Sequence, residues 1–205
     1  MLKSAFLNIF NKIKYSFIIA MLIILASCSN KQQSYSLEPI KNCTFPDNPK
    51  EDAPLWVCNV PIEGFAVTGV GSVSASKAGI QFMTNQAAAN ARVVIAQELK
   101  TRVSNEIKNY IESKGLGDSE VVINVSSSVT SQITDNNLIG SKILRTASSS
   151  NGTLYVLVGL TKENYDATLK RVFNNTLQSE QQNIQQNGIS ANQFNTMTNS
   201  ILKPN

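Results

Sequence analysis

A four-residue repeat of apolar side chains constrains this chain more than any other feature. The repeat occupies six positions: Ala91, Ile95, Leu99, Val103, Ile107 and Ile111. Because an α-helix has 3.6 residues per turn, these side chains form one slowly drifting stripe that has to face a core. The pattern predicts a helix from Lys77 to about Lys114 that is ended by Gly115 and Gly117. The apolar stripe of so long a helix has to be buried against other parts of the protein along much of its length.

Three shorter runs are typical of β-strands. Residues 64–71 alternate small and apolar side chains and finish in glycines. Residues 141–148 and 153–160 are rich in apolar side chains and are joined through Asn151-Gly152, the favoured tight turn of a two-stranded hairpin. These runs predict a small antiparallel sheet.

Residues 119–137 fit two descriptions equally well. Their apolar residues satisfy both the alternation of a strand and the four-residue spacing of a helix, and three consecutive serines weaken the helix without forbidding it. Thr161 can cap a final helix with Tyr165, Leu169, Val172 and Phe173 on one face. Residues 178–205 are rich in Gln and Asn, which predicts a disordered or loosely helical tail.

The first 27 residues have the layout of an export signal. Three lysines and no acidic residue precede an apolar run at residues 16–25, and small residues follow it. The run is short for a bilayer span, which needs about 20 apolar residues. A retained anchor or a buried core helix is the rival interpretation, and the small-residue end at Ala26-Ser27 before Cys28 argues against it.

Leu25-Ala26-Ser27-Cys28 resembles the lipobox of bacterial lipoproteins. The resemblance implies that Cys28 receives a diacylglycerol, that the signal is cut before it, and that the new amino terminus is acylated, for example with palmitate. Two or more acyl chains give durable anchoring to a membrane. Ser29 in place of an aspartate resembles the outer-membrane sorting class. The rival expectation is an exported chain that is cut elsewhere and keeps a free cysteine.

Removal of the signal also changes the charge of the protein. It takes three of the 18 Lys and Arg residues and none of the 14 Asp and Glu residues. Most of the positive excess is then gone, and no basic cluster with interleaved aromatic residues remains. We therefore expect no nucleic-acid partner. The remainder is long enough for one domain of ordinary size.

The other two cysteines, Cys43 and Cys58, bracket a Pro-rich stretch that does not suit a helix or a central strand. With Cys28 lipidated they are an even pair, and an oxidising periplasm favours a disulfide between them. Closing a loop of about 15 residues would contribute up to about 3 kcal/mol. The alternative is two reduced thiols, with Cys58 packing beside Trp56.

Several kinds of chemistry are disfavoured by composition and spacing. The chain has no histidine, which excludes histidine-dependent nucleophilic catalysis and histidine-ligated metals. Residues 69–74, GVGSVS, mimic a dinucleotide-binding turn, but Ser74 replaces the third glycine. We expect those glycines to serve strand and helix packing. Neither the acidic residues of the Pro-rich stretch nor Asp135 has calcium-loop spacing. We predict no catalytic residue, cofactor or metal.

Four segments together resemble the LPP-twenty-type lipoprotein family of bacterial envelopes. They are residues 54–59, 69–72, 86–99 and 154–160, in the same order as in the family. The resemblance implies an α+β fold, with a small antiparallel three-stranded sheet packed against one long helix and shorter helices. It also tips residues 119–137 toward helix. Members are small surface or outer-membrane lipoproteins, some of them parts of flagellar basal disks, with no established enzymatic activity.

The resulting division is a signal peptide at 1–27, a tether and Pro-rich loop at 28–53, an α+β lipoprotein domain at 54–177 and the tail at 178–205. Three classes of function stay open. The first is a lipid-anchored envelope protein that binds or assembles with itself or with an envelope or flagellar protein, and an unpaired sheet edge is the surface that we expect it to use. The second is a structural cell-wall-associated lipoprotein, and the third is a cofactor-binding protein.

Overall fold

The structure is a computed structural model that describes residues 42–202. Within that range the chain forms five strands and five α-helices. The strands are β1 (Thr44–Phe45), β2 (Asn48–Asp52), β3 (Val67–Val73), β4 (Lys142–Ser148) and β5 (Leu154–Leu160). The helices are α1 (Ile80–Lys114), α2 (Ser119–Ser131), α3 (Lys162–Ser179), α4 (Gln181–Gln186) and α5 (Ala191–Ile201). The predicted α+β class is confirmed.

The main sheet has three antiparallel strands in the order β3-β5-β4. The central strand β5 is buried at every position, because it lies between two strands and is covered on both faces of the sheet. Val67 pairs with Leu160 at one end of β3, and Val73 pairs with Leu154 at the other. The two outer strands each leave one edge unpaired within the described part of the chain.

The β4–β5 connection differs in detail from the predicted two-residue turn. The N–H of Gly152 donates to the carbonyl of Ser149 at 2.9 Å, and the N–H of Ser149 donates to the carbonyl of Thr153 at 3.0 Å. Gly152 has φ +83°, whereas Asn151 is not in the left-handed region. This is the longer hairpin loop in which a turn is followed by a left-handed glycine. The hairpin itself was predicted correctly.

One face of the sheet is covered by α1, which packs directly on β3. A Cβ atom at Gly71 would lie 2.1 Å from the carbonyl oxygen of Ala87, and one at Gly69 would lie 2.5 Å from that of Ala91. The absence of side chains at these glycines lets the helix backbone rest on the strand. Ala87 and Ala91 are fully buried at the contact.

The second half of α1 extends past the sheet. Its 35 residues span about 52 Å, while the seven residues of β3 span about 23 Å. The apolar stripe continues into this half and joins one core with side chains of α2, α3 and α5. Asp118 caps α2 and Thr161 caps α3, each accepting backbone N–H bonds. The helical expectation for residues 119–137 therefore holds for Ser119–Ser131.

The C-terminal region is more ordered than the predicted disordered or loosely helical tail. The helix α3 continues to Ser179, and α4 and α5 follow it. Their apolar residues enter the main core, where Ile184, Ile189, Phe194 and Met197 are each at most 2% exposed. Ser190 caps α5 with a reciprocal bond to Gln193. Few apolar residues are present, but nearly all of them face inward, so composition alone understated the order.

Candidate functional site

The predicted lipidation residue, Cys28, lies outside the described residues, so its modification stays a prediction. The other two predicted site residues come together, since Cys43 and Cys58 form a disulfide with their Cα atoms 5.9 Å apart. The disulfide closes a segment that we call the strap, residues 42–62. The strap contains the β1–β2 hairpin and the 3₁₀ turn at Leu55–Cys58.

The strap covers the sheet face opposite α1. Phe45 and Trp56 are each 4% exposed and form a second apolar cluster with Tyr155 and Leu157 of β5. The rings of Phe45 and Tyr155 lie 5.2 Å apart between centroids in a tilted arrangement. This face is smaller than the α1 face, and its cover is a loop-rich segment. The disulfide therefore supplies stability that a larger apolar core would supply in another domain.

Asp47 is the first of two carboxylates that hold the strap to the sheet. Its two oxygens accept a bond from the Ser149 hydroxyl at 2.6 Å and from the Tyr155 hydroxyl at 2.7 Å. Its backbone carbonyl accepts from the Asn151 side chain at 3.0 Å. The bond from Ser149 is the main reason that the pKa of Asp47 lies below its ordinary value. Burial raises the pKa of Tyr155, and the bond to Asp47 adds to that effect.

Glu51 is the second carboxylate, and it accepts hydrogen bonds from the β4–β5 loop. One of its oxygens accepts from the Ser150 backbone N–H at 2.8 Å, the Ser150 hydroxyl at 2.7 Å and the Asn48 amide at 2.9 Å. The backbone bond from Ser150 is the main cause of a lowered pKa at Glu51. Asp47 and Glu51 thus act as docking groups between segments about 100 residues apart in sequence.

Sequence reasoning placed Asp47 and Glu51 in a loop and gave them no role. No local pattern marks them, because their partners become neighbours only when the sheet forms. In the sequence, Ser149 and Ser150 belong only to the connection between the two apolar runs of the hairpin. The bracketing cysteines were the one available signal that this stretch is held against something.

The Gly-x-Gly motif at residues 69–71 lies inside β3, and α1 begins nine residues later at Ile80. In a dinucleotide turn these glycines would lie between strand and helix, with room for phosphate beside them. Here the helix backbone fills that space, as the contacts with Ala87 and Ala91 show. The packing interpretation of the motif therefore fits the geometry.

Within residues 42–202, no group of three or more acidic or cysteine side chains is placed to hold a metal ion. No α-helix of the same region combines the length and apolar character needed to cross a bilayer.

A groove of about 350 Å³ lies beside the free edge of β3, and we call it the β3 groove. Its walls come from the end of the strap, the start of β3 and the exposed side of α1. The apolar lining includes Ile62, Phe65 and Val94, and the ion pair of Glu98 with Arg102 also lines the groove. Val94 was a missed signal, since it is apolar but lies off the four-residue stripe of α1.

A second, polar groove of about 550 Å³ lies between α2 and the α3–α4 junction. It is lined by neutral amide and hydroxyl side chains together with Glu180. The Asn124 amide donates to the Asn187 side chain across it at 2.9 Å. This surface suits hydrogen bonding to uncharged polar groups.

Comparison with known proteins identifies the family. The family model described as LPP20 lipoprotein matches residues 54–161, which is more than half of the 205-residue chain. No curated protein matches the sequence. The matched range begins inside the strap and includes β3, α1, α2 and the β4–β5 hairpin. The chain therefore belongs to the LPP20 lipoprotein family.

Proposed function

We propose that this protein is a lipid-anchored lipoprotein of the outer membrane that acts, without enzymatic activity, as a binding or assembly component of the cell envelope. The observation that carries the proposal is the family match over residues 54–161 downstream of the lipobox Leu25-Ala26-Ser27-Cys28. Acylated Cys28 would be the contact with membrane lipid, and two or more acyl chains make such anchoring durable.

The disulfide of the strap supports a location outside the cytoplasm. This bond between Cys43 and Cys58 would persist in an oxidising compartment and be lost in a reducing one. The apolar cluster that it closes is small, so the fold benefits from the crosslink. An exported protein would gain this stability as soon as it folds in the periplasm.

The partner in this proposal is a protein, either a second copy or another envelope or flagellar component. The carboxylates of Asp47 and Glu51 in the strap accept hydrogen bonds from within the same chain, which suits a structural role. The free sheet edges and the apolar lining of the β3 groove are surfaces of the kind that bind protein segments.

A cell-wall-associated role is the second candidate, and the polar groove between α2 and α4 favours it. Neutral amides and hydroxyls are suited to bind glycan hydroxyl and acetamido groups. Crosslinking in intact envelopes separates the two candidates, since protein adducts support the first and glycan adducts support the second.

Fractionation with fatty-acid labelling tests the anchor. The wild-type protein should incorporate labelled palmitate and sediment with outer membranes, whereas Cys28→Ser should do neither. Cys43→Ser is the matched control, since it removes a cysteine of the disulfide instead of the lipobox cysteine and should still be labelled. Labelling of Cys28→Ser, or unlabelled wild type in the soluble fraction, would contradict the proposal.

A further inference from the structure

We propose that copies of this protein join head to tail, with the free edge of β4 in one copy pairing with the free edge of β3, at the β3 groove, in the next. The inference rests on the proposed function as an assembly component and names its partner as a second copy of the chain. It starts from the three-stranded sheet, whose outer strands each have one unpaired edge in the described region.

Pairing of β3 with β3 of another copy is excluded by α1. Hydrogen-bonded strands related by a two-fold axis run antiparallel and keep both helices on the same face of the sheet. Adjacent strands are only about 4.8 Å apart, whereas packed helices need about 8–10 Å between their axes. Because α1 rests directly on Gly69 and Gly71 of β3, two such helices would overlap.

Pairing of β4 with β4 is disfavoured by charge. This strand reads KILRTAS, with Lys142 and Arg145 as its charged residues and no acidic residue. An antiparallel pair centred on the strand would bring the two Arg145 side chains opposite each other, and like charges directly opposite are destabilising. A bulge between Ile143 and Arg145 further restricts the register in which this edge can pair.

Pairing of β4 with β3 meets neither obstacle. Both strands are antiparallel to β5, so they run in the same direction and can pair in parallel when one copy follows another by translation. Each copy then adds three strands, or about 14 Å, which leaves room above the sheet for the one helix that rests on β3 in each copy, α1. The strap packs on one face of all three strands, where it contacts Val70 of β3 and Leu144 of β4. Within the described residues, it makes no backbone hydrogen bond to either outer strand.

The faces of the two edges also match. Ile143 pairs with Val158, whose side chain is in the α1 core, so Ile143 projects on the α1 side of the sheet. It is 42% exposed, since α1 packs over β3 at the opposite edge of the sheet and does not reach β4. In the next copy, the α1 side of the β3 edge presents Val94, which is 39% exposed. Head-to-tail pairing places these two apolar side chains on the same face of the seam.

The remaining groups at the seam suit a short contact. Lys142 and Arg145 of β4 pair with Gly159 and Leu157, so they project on the strap side of the sheet, away from the apolar pair on the α1 side. The Asn90 side chain donates to the carbonyl of Ser72 at 2.9 Å and so occupies the far end of β3. The free stretch is therefore the first half of β3, beside the groove. A head-to-tail contact repeats without closing on itself, which builds chains or rings on a membrane surface.

Three matched substitutions test the seam in full-length lipidated protein. Val94→Glu puts a second carboxylate in the β3 groove, Ile143→Glu puts one on β4, and Ile123→Glu alters an equally apolar residue of α2 that is 65% exposed and belongs to neither edge. Each protein is reconstituted in vesicles of phosphatidylcholine and phosphatidylglycerol, which have no primary amine, treated with an amine crosslinker and run on a denaturing gel.

Wild type and Ile123→Glu should give a ladder of crosslinked species, and the ladder should be lost in Val94→Glu and in Ile143→Glu. When those two variants carry different tags and are mixed, each supplies the intact edge that the other lacks. The mixture should form dimers that carry both tags and nothing larger. Circular dichroism and an intact disulfide would establish that each variant is folded. If either acidic variant unfolds, Val94→Ser and Ile143→Ser replace the two, and each should weaken the ladder relative to wild type.

A wild-type protein that stays monomeric in vesicles, a ladder unchanged in both edge variants, or a mixture without doubly tagged dimers would overturn the inference. These outcomes are distinct from failure of the proposed function. If the protein is acylated and crosslinks to a different envelope protein but not to itself, the proposed function stands and the head-to-tail seam falls.

Discussion

The two faces of the main sheet are covered in opposite ways. On one face, α1 lies against glycines and alanines, with Gly69 and Gly71 of β3 touching the helix backbone. On the other face, the strap is held by a disulfide, an aromatic contact and the carboxylates of Asp47 and Glu51. The first cover depends on shape and apolar burial. The second depends on redox state and on ionised groups.

This difference shows how a small lipoprotein domain can combine a permanent and a conditional cover. Close packing of backbone on backbone responds little to reductant or acid, because no ionisable or redox-active group takes part. The strap uses groups whose bonding changes with both conditions. Perturbing each face separately should therefore give different responses to the same solution change.

The largest effect is expected from Gly71→Val. The new side chain would start 2.1 Å from the carbonyl oxygen of Ala87, so helix and strand would have to separate. We expect a loss of more than about 4 kcal/mol or a failure to fold, measured by urea unfolding. Ser72→Val is the control, because it adds the same side chain at an exposed position of the same strand and should change stability by about 0.5 kcal/mol or less. Equal losses in the two variants would contradict the close-packed account.

The next largest effect is expected from removing the disulfide with the double substitution Cys43→Ser and Cys58→Ser. Freeing a loop of this length should lower the free energy of unfolding by about 3 kcal/mol. Hydrogen exchange should speed up in the strap, while residues 87–99 of α1 stay protected. Reductant should have the same effect on wild type and none on the double variant. Loss of protection throughout α1 would show that the two covers are not independent.

A smaller effect is expected from acid. The pKa values of Asp47 and Glu51 lie below their ordinary values of 3.8 and 4.5, so the folded state favours the ionised forms. Their contribution is present above those ordinary values and is lost as pH falls through the lower values of the folded state. The melting temperature of wild type should drop in that window, and the Asp47→Asn, Glu51→Gln double variant should show a shallower drop.

Glu106→Gln is the control for the acid experiment, because it neutralises an exposed carboxylate of α1 outside the strap. Its acid profile should follow that of wild type. A double variant at Asp47 and Glu51 with an unaltered profile would show that these two groups do not link the strap to pH.

The smallest effect is expected from Tyr155→Phe, which removes the hydroxyl bond to Asp47 and keeps the ring against Phe45. The loss should be about 1 kcal/mol at neutral pH. Because burial raises the pKa of Tyr155 above 10.0, wild type should lose stability as pH rises past that value. Thermal melts from neutral to alkaline pH measure both effects. A variant whose stability falls with alkali as steeply as that of wild type would contradict the role given to the hydroxyl, and Tyr110→Phe serves as the matched change on α1.

The parts of the fold that could be predicted are those whose pattern is local and repeated. The stripe from Ala91 to Ile111 required a long helix, and it stays buried along its whole length. The β4–β5 hairpin followed from two apolar runs and a turn. Only the position of the left-handed residue, Gly152, differed, because the choice between hairpin loops depends on backbone geometry that Asn-Gly alone does not determine.

The parts that could not be predicted depend on contacts between distant residues or on a few well-placed side chains. In the C-terminal region, Ile184, Ile189 and Phe194 are separated by five residues, which is not a helical repeat within one element. Ile184 lies in α4, Ile189 in the turn after it and Phe194 in α5. The three side chains reach the same core only because the chain changes direction between these two short helices. The bonds from Ser149 and Ser150 to the strap carry no sequence signal, since they arise from the register of the finished sheet.

The central claim, that this LPP20 family member is anchored by Cys28, is tested most directly by mass spectrometry of the amino-terminal peptide from protein purified out of its native membrane. The account predicts a mature chain that begins at Cys28 and carries the added mass of a diacylglycerol and an amide-linked fatty acid. A mature chain that begins elsewhere, or an unmodified Cys28, would contradict it.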